Sequence, residues 1–372
     1  KLKPYSTLYN ANALVFAIIG AKLAEQNAVP GKFMGFAGWG KYRPELKEWL
    51  RKNDFFQNIW GQTSEFFRQA KKDWNVGLQS FNQKDSFIQD VAATLQEIFV
   101  KEILEKLEYI KHKTGSTTLY YTGGSALNIV ANTRIVNSGL FNEVFIPPCT
   151  EDSGLALGAA AFAEWQKHGE VQCHSPYLNN WGIELGNVDY TQETIHEAAE
   201  QLLQKKIIGV CNGFGEAGPR ALGNRSILTL ANSKSLAKKL SIEKKGREWY
   251  RPLAPLALEK NTRYFTGLKV VHHLSKYMLL DFPVQLGRHE ELAGAIHADG
   301  TARFQTIFEK ADNPFMYDLL SYLDEKHSIK ALINTSFNAG GEPIVHTEND
   351  AKRSADKMQL DGLVMNGKFA VL

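Results

Sequence analysis

The sequence predicts an α/β protein built from two domains. Two strand–loop–helix units occur in the first half of the chain, and a helix, a strand and a glycine-rich loop open the second half. A polar, irregular stretch separates the two halves. At 372 residues, 44% of them hydrophobic, the chain is long enough to bury more than one core.

The first third of the chain has a mostly helical pattern. The segment NALVFAIIGAKLAEQNAV (12–29) is apolar nearly all round, and GKFMGFAGWGK (31–41) predicts a glycine-rich loop. Apolar residues then recur at helical spacing from Ser86 to Lys113, which predicts a long amphipathic helix.

Two strand–loop–helix units follow. The segment TTLYYTGGSALN (117–128) predicts a strand, a tight turn at Gly123 and Gly124, and a helix from about Ser125. The segment FNEVFIPPCTEDSGLALGAAAFAEW (141–165) repeats that order. Small residues at the start of a helix leave its backbone N–H groups open, so both units predict ligand-binding groups at the strand ends.

We place a linker at 169–186, between a domain at 1–168 and a second domain at 187–372. The second domain begins with a helix at 194–206 (TIHEAAEQLLQKK) and a strand at 207–211 (IIGVC). Five further strands are predicted, at 253–258, 277–282, 302–308, 330–334 and 362–366.

The overall composition excludes several classes of protein. A formal net charge of +3 gives no indication of a nucleic-acid or membrane surface. No apolar run approaches the roughly 18 residues of a membrane span, and no leader peptide is recognisable. The cysteines (Cys149, Cys173 and Cys211) lack metal-ligand spacing and read as buried thiols of a cytoplasmic protein. Because the chain begins with Lys1, we expect a fragment or a processed chain.

One stretch of the second domain is strongly basic. From Gln201 to Arg263 there are 13 Lys and Arg residues against 4 Asp and Glu. Several of these cations lie among Gly, Pro, Trp and Tyr, where a merely solvated surface is not expected. Cations in such settings are typical of sites for anionic ligands. The members of this group are Arg220, Arg225, Lys245, Arg247 and Arg251.

The loop that follows the 207–211 strand contains G-x-G-x-x-G, at Gly213, Gly215 and Gly218. A dinucleotide-binding loop also needs an acidic residue about 20 positions further on, to bind the ribose hydroxyls. There is no Asp or Glu from Ala217 to Ile242. The pattern therefore does not indicate a Rossmann domain, and its two arginines indicate phosphate binding of another kind.

Three further segments offer similar chemistry. KKGREWYRPLAP (244–255) places Lys245 and Arg251 beside aromatic residues, and HADGTARFQT (297–306) places Arg303 at the start of a strand. INTSFNAGGEPIV (333–345) leads from a strand into Ser336 and Asn338 and then a Gly-Gly turn. Guanidinium groups, hydroxyls, amides and bare backbone together suit a polyphosphate or nucleotide.

These segments together resemble the carbamoyltransferase family, which includes nodulation-factor and antibiotic O-carbamoyltransferases. The similar runs in the second half are GPRALGNRSI (218–227), KGREWYRPLAPLAL (245–258), DGTARFQT (299–306) and NTSFNAGGEPIV (334–345). Upstream, GKFMGFAGWG (31–40), GGSALN (123–128) and EDSGLALGAA (151–160) fit the same family in the same order. The resemblance spans nearly the whole chain.

The resemblance implies that 187–372 is a YrdC-like α/β domain with a twisted open sheet. Such a domain joins the carbamoyl unit of carbamoyl phosphate to AMP from ATP, with Mg²⁺ accompanying the ATP, and releases pyrophosphate. The family's Lys-x-Arg and Ser-x-Asn motifs match Lys245 to Arg247 and Ser336 to Asn338. The implied catalytic residues around the ATP phosphates and the carbamoyl group are Arg220, Arg225, Lys245, Arg251, Arg303 and Ser336. The implied nucleotide-binding residues of this domain are Arg247 and Asn338.

The resemblance also implies that 1–168 is the second half of a sugar-kinase/actin-like (ASKHA) domain. That domain passes the carbamoyl group to a hydroxyl acceptor such as a sugar or another natural product. Gly123 and Gly124 would approach the adenylate phosphate with Asn128 close by, and Asp152 matches a ligand of the family's catalytic iron. The usual His-x-x-x-His pair is absent from the ten histidines. One carboxylate is too few for an iron site, so we expect weak metal binding and an incomplete transfer step.

Two alternatives remain at this stage. The chain could be an inactive or regulatory nucleotide-binding module, which would bind ATP without turnover. It could also resemble the tRNA-modifying threonylcarbamoyl enzymes in function, although the near-neutral charge does not favour RNA binding. A homodimer is compatible with either reading.

Overall fold

The computed structural model describes residues 13–21, 23–55, 59, 61–171, 175–179 and 188–372. Backbone contacts divide the chain into two compact units. The first, here called the helical unit, comprises Lys1–Tyr120 and Val130–Val144, and the second, the sheet unit, comprises Tyr121–Ile129 and Phe145–Leu372. The predicted boundary at the 169–186 linker does not coincide with this division and stays a prediction.

The helices of the described residues are numbered in chain order. They are α1 (Ala13–Ile19), α2 (Val29–Ala37), α3 (Pro44–Lys52), α4 (Thr63–Trp74), α5 (Ser86–Thr114), α6 (Ile129–Asn137), α7 (Gly154–His168), α8 (Gln192–Leu203), α9 (Lys234–Lys238), α10 (Glu259–Thr266), α11 (Pro314–His327) and α12 (Glu348–Met358). No described helix has both the length and the apolar character needed to span a membrane.

The strands are numbered in the same way. They are β1 (Thr118–Tyr120), β2 (Glu143–Phe145), β3 (Tyr177–Asn179), β4 (Ile208–Cys211), β5 (Gly215–Glu216), β6 (Arg225–Leu230), β7 (Ala254–Leu258), β8 (Phe282–Pro283), β9 (Thr301–Ala302), β10 (Gln305–Ile307), β11 (Leu332–Ser336), β12 (Gly362–Met365) and β13 (Lys368–Val371).

The helical unit is organised around the long helix α5. Asp85 caps its N-terminus by accepting a hydrogen bond from Phe87 N at 2.9 Å, and Gly115, with φ of 67°, ends it. Trp49 packs against Phe66 and Phe87, with ring centroids 5.3 and 5.8 Å apart. Contacts at these separations are typical of a stable aromatic core.

The sheet unit contains a seven-stranded mixed sheet in the order β10-β7-β11-β6-β4-β12-β13. The β10–β7 and β12–β4 pairs are parallel, and the other pairs with a recorded register are antiparallel. Alternate strand residues, such as Leu228 and Leu230, are buried with apolar residues of α8 and α11 in one core. This arrangement confirms the predicted α/β class.

The strand directions bring distant segments to one end of the sheet. Strand β6 begins beside the end of β11, because Ser226 pairs with Ser336. Strand β7 also begins beside the end of β11, and β10 runs parallel to β7. The segments before β6, β7 and β10 therefore meet the segment after β11 at the same end, since chain ends alternate in antiparallel pairs.

Several element predictions are confirmed. Strands β7, β11 and β12 lie where strands were expected at 253–258, 330–334 and 362–366. The long helix predicted from 86 to 113 is α5, and the helix expected at 194–206 is α8, which begins two residues earlier and ends at Leu203.

Other element predictions were wrong. Residues 31–37 belong to α2 and not to a loop, because Phe33 and Phe36 are fully buried on one helix face and outweigh the glycines. Most of the strand expected at 277–282 is absent, since His273–Tyr277 forms a 3₁₀ helix. The linker expected at 169–186 stays a prediction: it includes β3, which pairs with β5, while 172–174 and 180–187 lie outside the described residues.

Candidate functional site

The loop between β5 and β6 is organised by a buried carboxylate. Glu216 Oε1 accepts backbone hydrogen bonds from Leu222 N at 2.7 Å, Asn224 N at 2.7 Å and Arg225 N at 3.1 Å. Burial raises the pKa of Glu216 above its ordinary value, and the backbone donors partly offset that rise. Three donors on one oxygen fix the loop, and with it the position from which Arg220 projects.

Arg225 lies in this loop region but does not face an open site. Its Nη1 donates to Asn212 O and Asn224 O, its Nη2 to Gly213 O and His346 O, and its Nε to His346 O, at 2.8–3.2 Å. The five N–H groups of a guanidinium are all used, and the residue is only 1% exposed. The structure therefore gives Arg225 a structural position, which corrects the expectation that it surrounds the ATP phosphates.

Gly218 allows the loop to approach the segment before α7. Its φ is 106°, and a Cβ at this position would lie 2.4 Å from Pro148 O. Any side chain would therefore be strained in conformation and would also collide with backbone. Only glycine permits this contact, which places Arg220 near the segment that contains Glu151.

Five cationic side chains converge at the end of the sheet, and we call them the cation cluster. Each of them either lowers the pKa of another member or has its own pKa lowered by one, which places them in one electrostatic environment. They come from the segments before β6, β7 and β10. The cation cluster consists of Arg220, Lys245, Arg247, Arg251 and Arg303.

Burial and mutual repulsion destabilise the charges of the cluster. Burial, followed by Arg251, lowers the pKa of Arg220 to about 10, and the same two causes lower the pKa of Arg247 to about 9. Burial lowers the pKa of Arg303 well below its usual value, and the charged neighbours that contribute are Arg220, Arg247 and Arg251. Like charges held together in this way favour binding of a polyanion, which would relieve the repulsion.

Few carboxylates offset this positive charge. Glu248 lies 3.3 Å from Arg251 Nη1, and both side chains are about one-third exposed. Glu151 raises the pKa of Arg220, but its Oε1 accepts a hydrogen bond from Ser153 and its buried Oε2 has no partner among the described residues. Arg220 Nε is likewise buried without an acceptor in the described part of the chain. The cluster therefore retains donors for a ligand.

Lys245 is tied to the segment that follows β11. Its Nζ donates to Asn338 O at 2.7 Å, to Asn338 Oδ1 at 2.9 Å and to Ser336 O. Ser336 Oγ donates to the same Asn338 Oδ1 at 2.6 Å. Burial, with Arg247 and Arg251, lowers the pKa of Lys245 to about 6, whereas three oxygen acceptors match the three donors of an ammonium group and stabilise it.

The other predicted ligand groups of the sheet unit lie on the segments before α6 and α7. Gly123 N donates to Thr150 O at 2.7 Å, and a Cβ at Gly123 or Gly124 would meet no atom within 4 Å. The open backbone at this turn leaves room for a ligand. Asn128 is buried, at 7% exposure, and directly precedes α6.

The residues present do not fit an iron site. Asp152 is exposed, and the described residues contain no group of three His, Cys, Asp or Glu side chains placed to hold a metal ion. A single exposed carboxylate does not supply the several ligands that iron requires. Asp152 is therefore assigned no role in binding a catalytic metal.

Sequence reasoning missed three residues of this region. Sequence reasoning assigned no role to Glu216, although a carboxylate can accept several backbone N–H hydrogen bonds. Thr335 Oγ1 accepts a hydrogen bond from Arg247 Nη1 at 3.3 Å, which no sequence signal predicts. His297 forms a hydrogen bond with Thr301, and Arg303 contributes to lowering its pKa. The turn between His297 and Thr301 brings the ring into this position.

Comparisons with known proteins agree with the motifs. The chain matches the family description "Carbamoyltransferase N-terminus" over residues 7–161 and "Carbamoyltransferase C-terminus" over residues 199–371. Nodulation protein NolO of Bradyrhizobium diazoefficiens is 34% identical over 298 residues, which are 76% of this chain and 54% of that protein. Nodulation protein NolNO of Sinorhizobium fredii is 30% identical over 292 residues, which are 74% and 43% of the two chains.

The chain spans about half the length of these two curated relatives. Among solved structures, HypF of T. kodakarensis has a TM-score of 0.34 at 16% identity, covering 50% of this chain and 24% of that chain. That similarity is too weak to assign a fold. The two family matches together cover most of the chain and confirm what the separated motifs indicated. The chain belongs to the carbamoyltransferase family.

Proposed function

We propose that the cation cluster binds ATP and carbamoyl phosphate and catalyses formation of carbamoyl adenylate. The observation that supports this is the convergence of five cations from three segments, with unused donors and, among the described residues, two carboxylates that act on them, Glu151 and Glu248. Both substrates carry phosphate groups, and Arg donors suit phosphate oxygens. In this proposal the sheet unit contains the YrdC-like module of the family.

Water would cleave carbamoyl phosphate to carbamate and phosphate, and a carbamate oxygen would then attack the α-phosphorus of ATP. Pyrophosphate is the leaving group, and Mg²⁺ enters as the counter-ion of ATP. Negative charge develops on phosphoryl oxygens, so donors already in place are the main catalytic resource. Arg220, Arg251 and Arg303 would supply them, and Arg247 would contribute to nucleotide binding.

Lys245, Ser336 and Asn338 would act together at the edge of the cluster. The hydrogen bonds of Lys245 Nζ to the two other residues hold the ammonium in one place without a ligand. A cation that is fixed in advance stabilises a transition state without the cost of reorganisation. Ser336 Oγ and Asn338 would then contact the carbamoyl group or the nucleotide phosphates.

A second step, in a sugar-kinase/actin-like domain, would pass the carbamoyl group to a small molecule that bears a hydroxyl. The open turn at Gly123 and Gly124 suits the adenylate phosphate, because bare backbone can approach a phosphate closely. The resemblance to O-carbamoyltransferases implies a sugar or another natural product as the acceptor class.

The test is pyrophosphate release from ATP in the presence of carbamoyl phosphate. We expect release to require both substrates and to fall roughly 100-fold in Arg220→Met and in Lys245→Met, as is typical when a transition-state donor is removed. Arg353→Met is the matched control, because the Arg353 side chain is 73% exposed and forms a surface ion pair with Asp350. ATP binding without pyrophosphate release would instead indicate a nucleotide-binding module.

A further inference from the structure

The cation cluster is made of hydrogen-bond donors, whereas one of its proposed substrates carries a donor of its own. Arginine and lysine side chains only donate, which suits phosphate oxygens. The amide nitrogen of a carbamoyl group needs an acceptor instead. Ser336 O, Asn338 O and Asn338 Oδ1 already accept hydrogen bonds from Lys245, and Ser336 Oγ lies 3.5 Å from the same Nζ. An acceptor beside the cluster would therefore distinguish carbamoyl phosphate from other acyl phosphates.

His297 has the geometry of such an acceptor. Its Nδ1 lies 3.0 Å from Thr301 Oγ1, and Thr301 Oγ1 in turn donates to Asp299 Oδ1 at 2.8 Å. A hydroxyl has one hydrogen, which here is directed to the carboxylate, so His297 Nδ1 is the donor to Thr301. This hydrogen-bond network assigns the tautomer that leaves a lone pair on Nε2.

The ring is also neutral at physiological pH. Burial lowers the pKa of His297 to about 4, with Arg303 acting in the same direction and Asp299 opposing it. The charged groups that act on the ring are therefore one carboxylate on its own turn and one arginine of the cation cluster. A neutral imidazole with Nδ1 protonated accepts through Nε2 and does not add to the positive charge of the cluster.

The turn from 297 to 301 holds the His297 ring on the segment that leads to Arg303. His297 N donates to Thr301 O at 2.7 Å, and Gly300, with φ of 81°, allows the chain to reverse. Thr301 begins β9, and Arg303 follows that strand directly. The segment that delivers an arginine to the cluster thus also holds the imidazole.

We propose that His297 Nε2 accepts a hydrogen bond from the carbamoyl amide and is a specificity-determining residue for the carbamoyl group. This inference rests on the proposed function of the cation cluster. Glu151 is the rival acceptor, because its Oε2 is buried without a partner among the described residues and it acts on Arg220.

The test compares binding of carbamoyl phosphate with binding of acetyl phosphate, in which a methyl group replaces the amide. We expect the wild-type chain to bind carbamoyl phosphate about five- to tenfold more tightly in calorimetric titrations, the effect of one unmade hydrogen bond. His297→Asn keeps an N–H for Thr301 but lacks an acceptor at the Nε2 position, so the preference should disappear while acetyl phosphate binds as before. His297→Gln can place an amide oxygen at the Nε2 position and should restore part of the preference for carbamoyl phosphate.

Several results would overturn the role proposed for His297. Equal binding of the two acyl phosphates by the wild type overturns the inference, as does a preference that survives in His297→Asn or is lost only in Glu151→Ala, which removes the rival acceptor. His273→Leu, which changes an exposed histidine elsewhere in the sheet unit, serves as the control. If the wild type binds neither compound, this inference and the proposed function fail together. If pyrophosphate still forms but the preference is absent, only this inference fails.

Discussion

Lys245 Nζ lies 2.9 Å from Asn338 Oδ1 and 2.7 Å from Asn338 O, although 93 residues separate the two in sequence. The contact joins the segment before β7 to the segment after β11, which meet because those strands are antiparallel neighbours. It fixes one cation of the cluster before any ligand arrives. Arg247 and Arg251 each use one nitrogen on Thr335 and Glu248, and Arg220 Nε has no acceptor among the described residues, so the arginines retain donors for phosphate beside one anchored lysine.

Arg220 and Arg225 should respond in opposite ways to the same substitution. Arg225→Met removes the donor to the carbonyl groups of Asn212, Gly213 and His346, and one of the two donors to Asn224 O, so we expect the free energy of unfolding to fall by about 3 kcal/mol or more. Arg220→Met removes a cation that burial and Arg251 already destabilise, so stability should be unchanged or higher. Chemical denaturation of both variants measures the difference.

The contrast also separates the two roles. Arg220→Met should remain folded and lose pyrophosphate release, whereas loss of activity in Arg225→Met should follow loss of the folded state. An Arg225→Met protein that is as stable as the wild type but inactive would restore Arg225 to the catalytic group.

Sequence reasoning selected every member of the cation cluster, for a physical reason, although the roles of these residues stay predictions. Arg220, Lys245 and Arg303 lie in glycine- and proline-rich segments, where a cation is not explained by solvation alone. The sequence alone could not distinguish the roles of Arg220 and Arg225, because the two arginines are five residues apart in one loop. What separates them is the position of carbonyl groups contributed by Asn212, Gly213 and His346, which only the folded chain brings together.

The fold was predicted best where a strand had a clear apolar run with turn residues on both sides. Strand β6 was missed because its residues were read as part of a basic, phosphate-binding loop, although all six are buried. The hydrogen bonds that link His297 to Asp299 through Thr301 were also missed. They depend on the turn at Gly300, which the sequence shows only as a glycine after an aspartate.

The free energy of unfolding should depend on the acceptor oxygen of Glu216 and not on its charge. Its folded-state pKa is raised above 4.5, so the stability this carboxyl contributes is present below that value and is lost as pH rises through the folded pKa. Glu216→Gln mimics the protonated form and keeps an acceptor for Leu222 N and Asn224 N. We expect it to be at least as stable as the wild type at pH 7.5.

Glu216→Ala should be less stable than the wild type by about 3 kcal/mol, because three backbone N–H groups lose their shared acceptor. Thermal and denaturant unfolding of the two variants provide the measurement. Equal loss of stability in both would show that the charge, and not the acceptor, holds the loop.

Gly218→Ala should disrupt the loop through backbone geometry. The new methyl group would lie 2.4 Å from Pro148 O at a φ of 106°, so we expect a loss of about 2 kcal/mol or more and a marked fall in ATP affinity. Gly287→Ala is the control, since a Cβ at Gly287 meets no atom within 4 Å and its φ is not positive. Similar behaviour of the two variants would contradict the close approach.

The preference for carbamoyl over acetyl phosphate should persist at mildly acidic pH. The pKa of His297 is about 4, so Nε2 keeps its lone pair at pH 5.5 and loses it only as pH falls through that value. An ordinary histidine, with a pKa near 6.5, would already be protonated at pH 5.5. Titrations at pH 7.5 and pH 5.5 should therefore give the same ratio of affinities, and a ratio that collapses between them would contradict a neutral acceptor.

The central claim is that the cation cluster directs attack at the α-phosphorus of ATP. The direct measurement is a single-turnover reaction with carbamoyl phosphate and ATP labelled in the α-phosphate, quenched and resolved by chromatography and mass spectrometry. The account predicts a labelled carbamoyl adenylate formed together with an equal amount of pyrophosphate, and neither product in Arg220→Met. Labelled ADP with release of phosphate, and no adenylate, would contradict it.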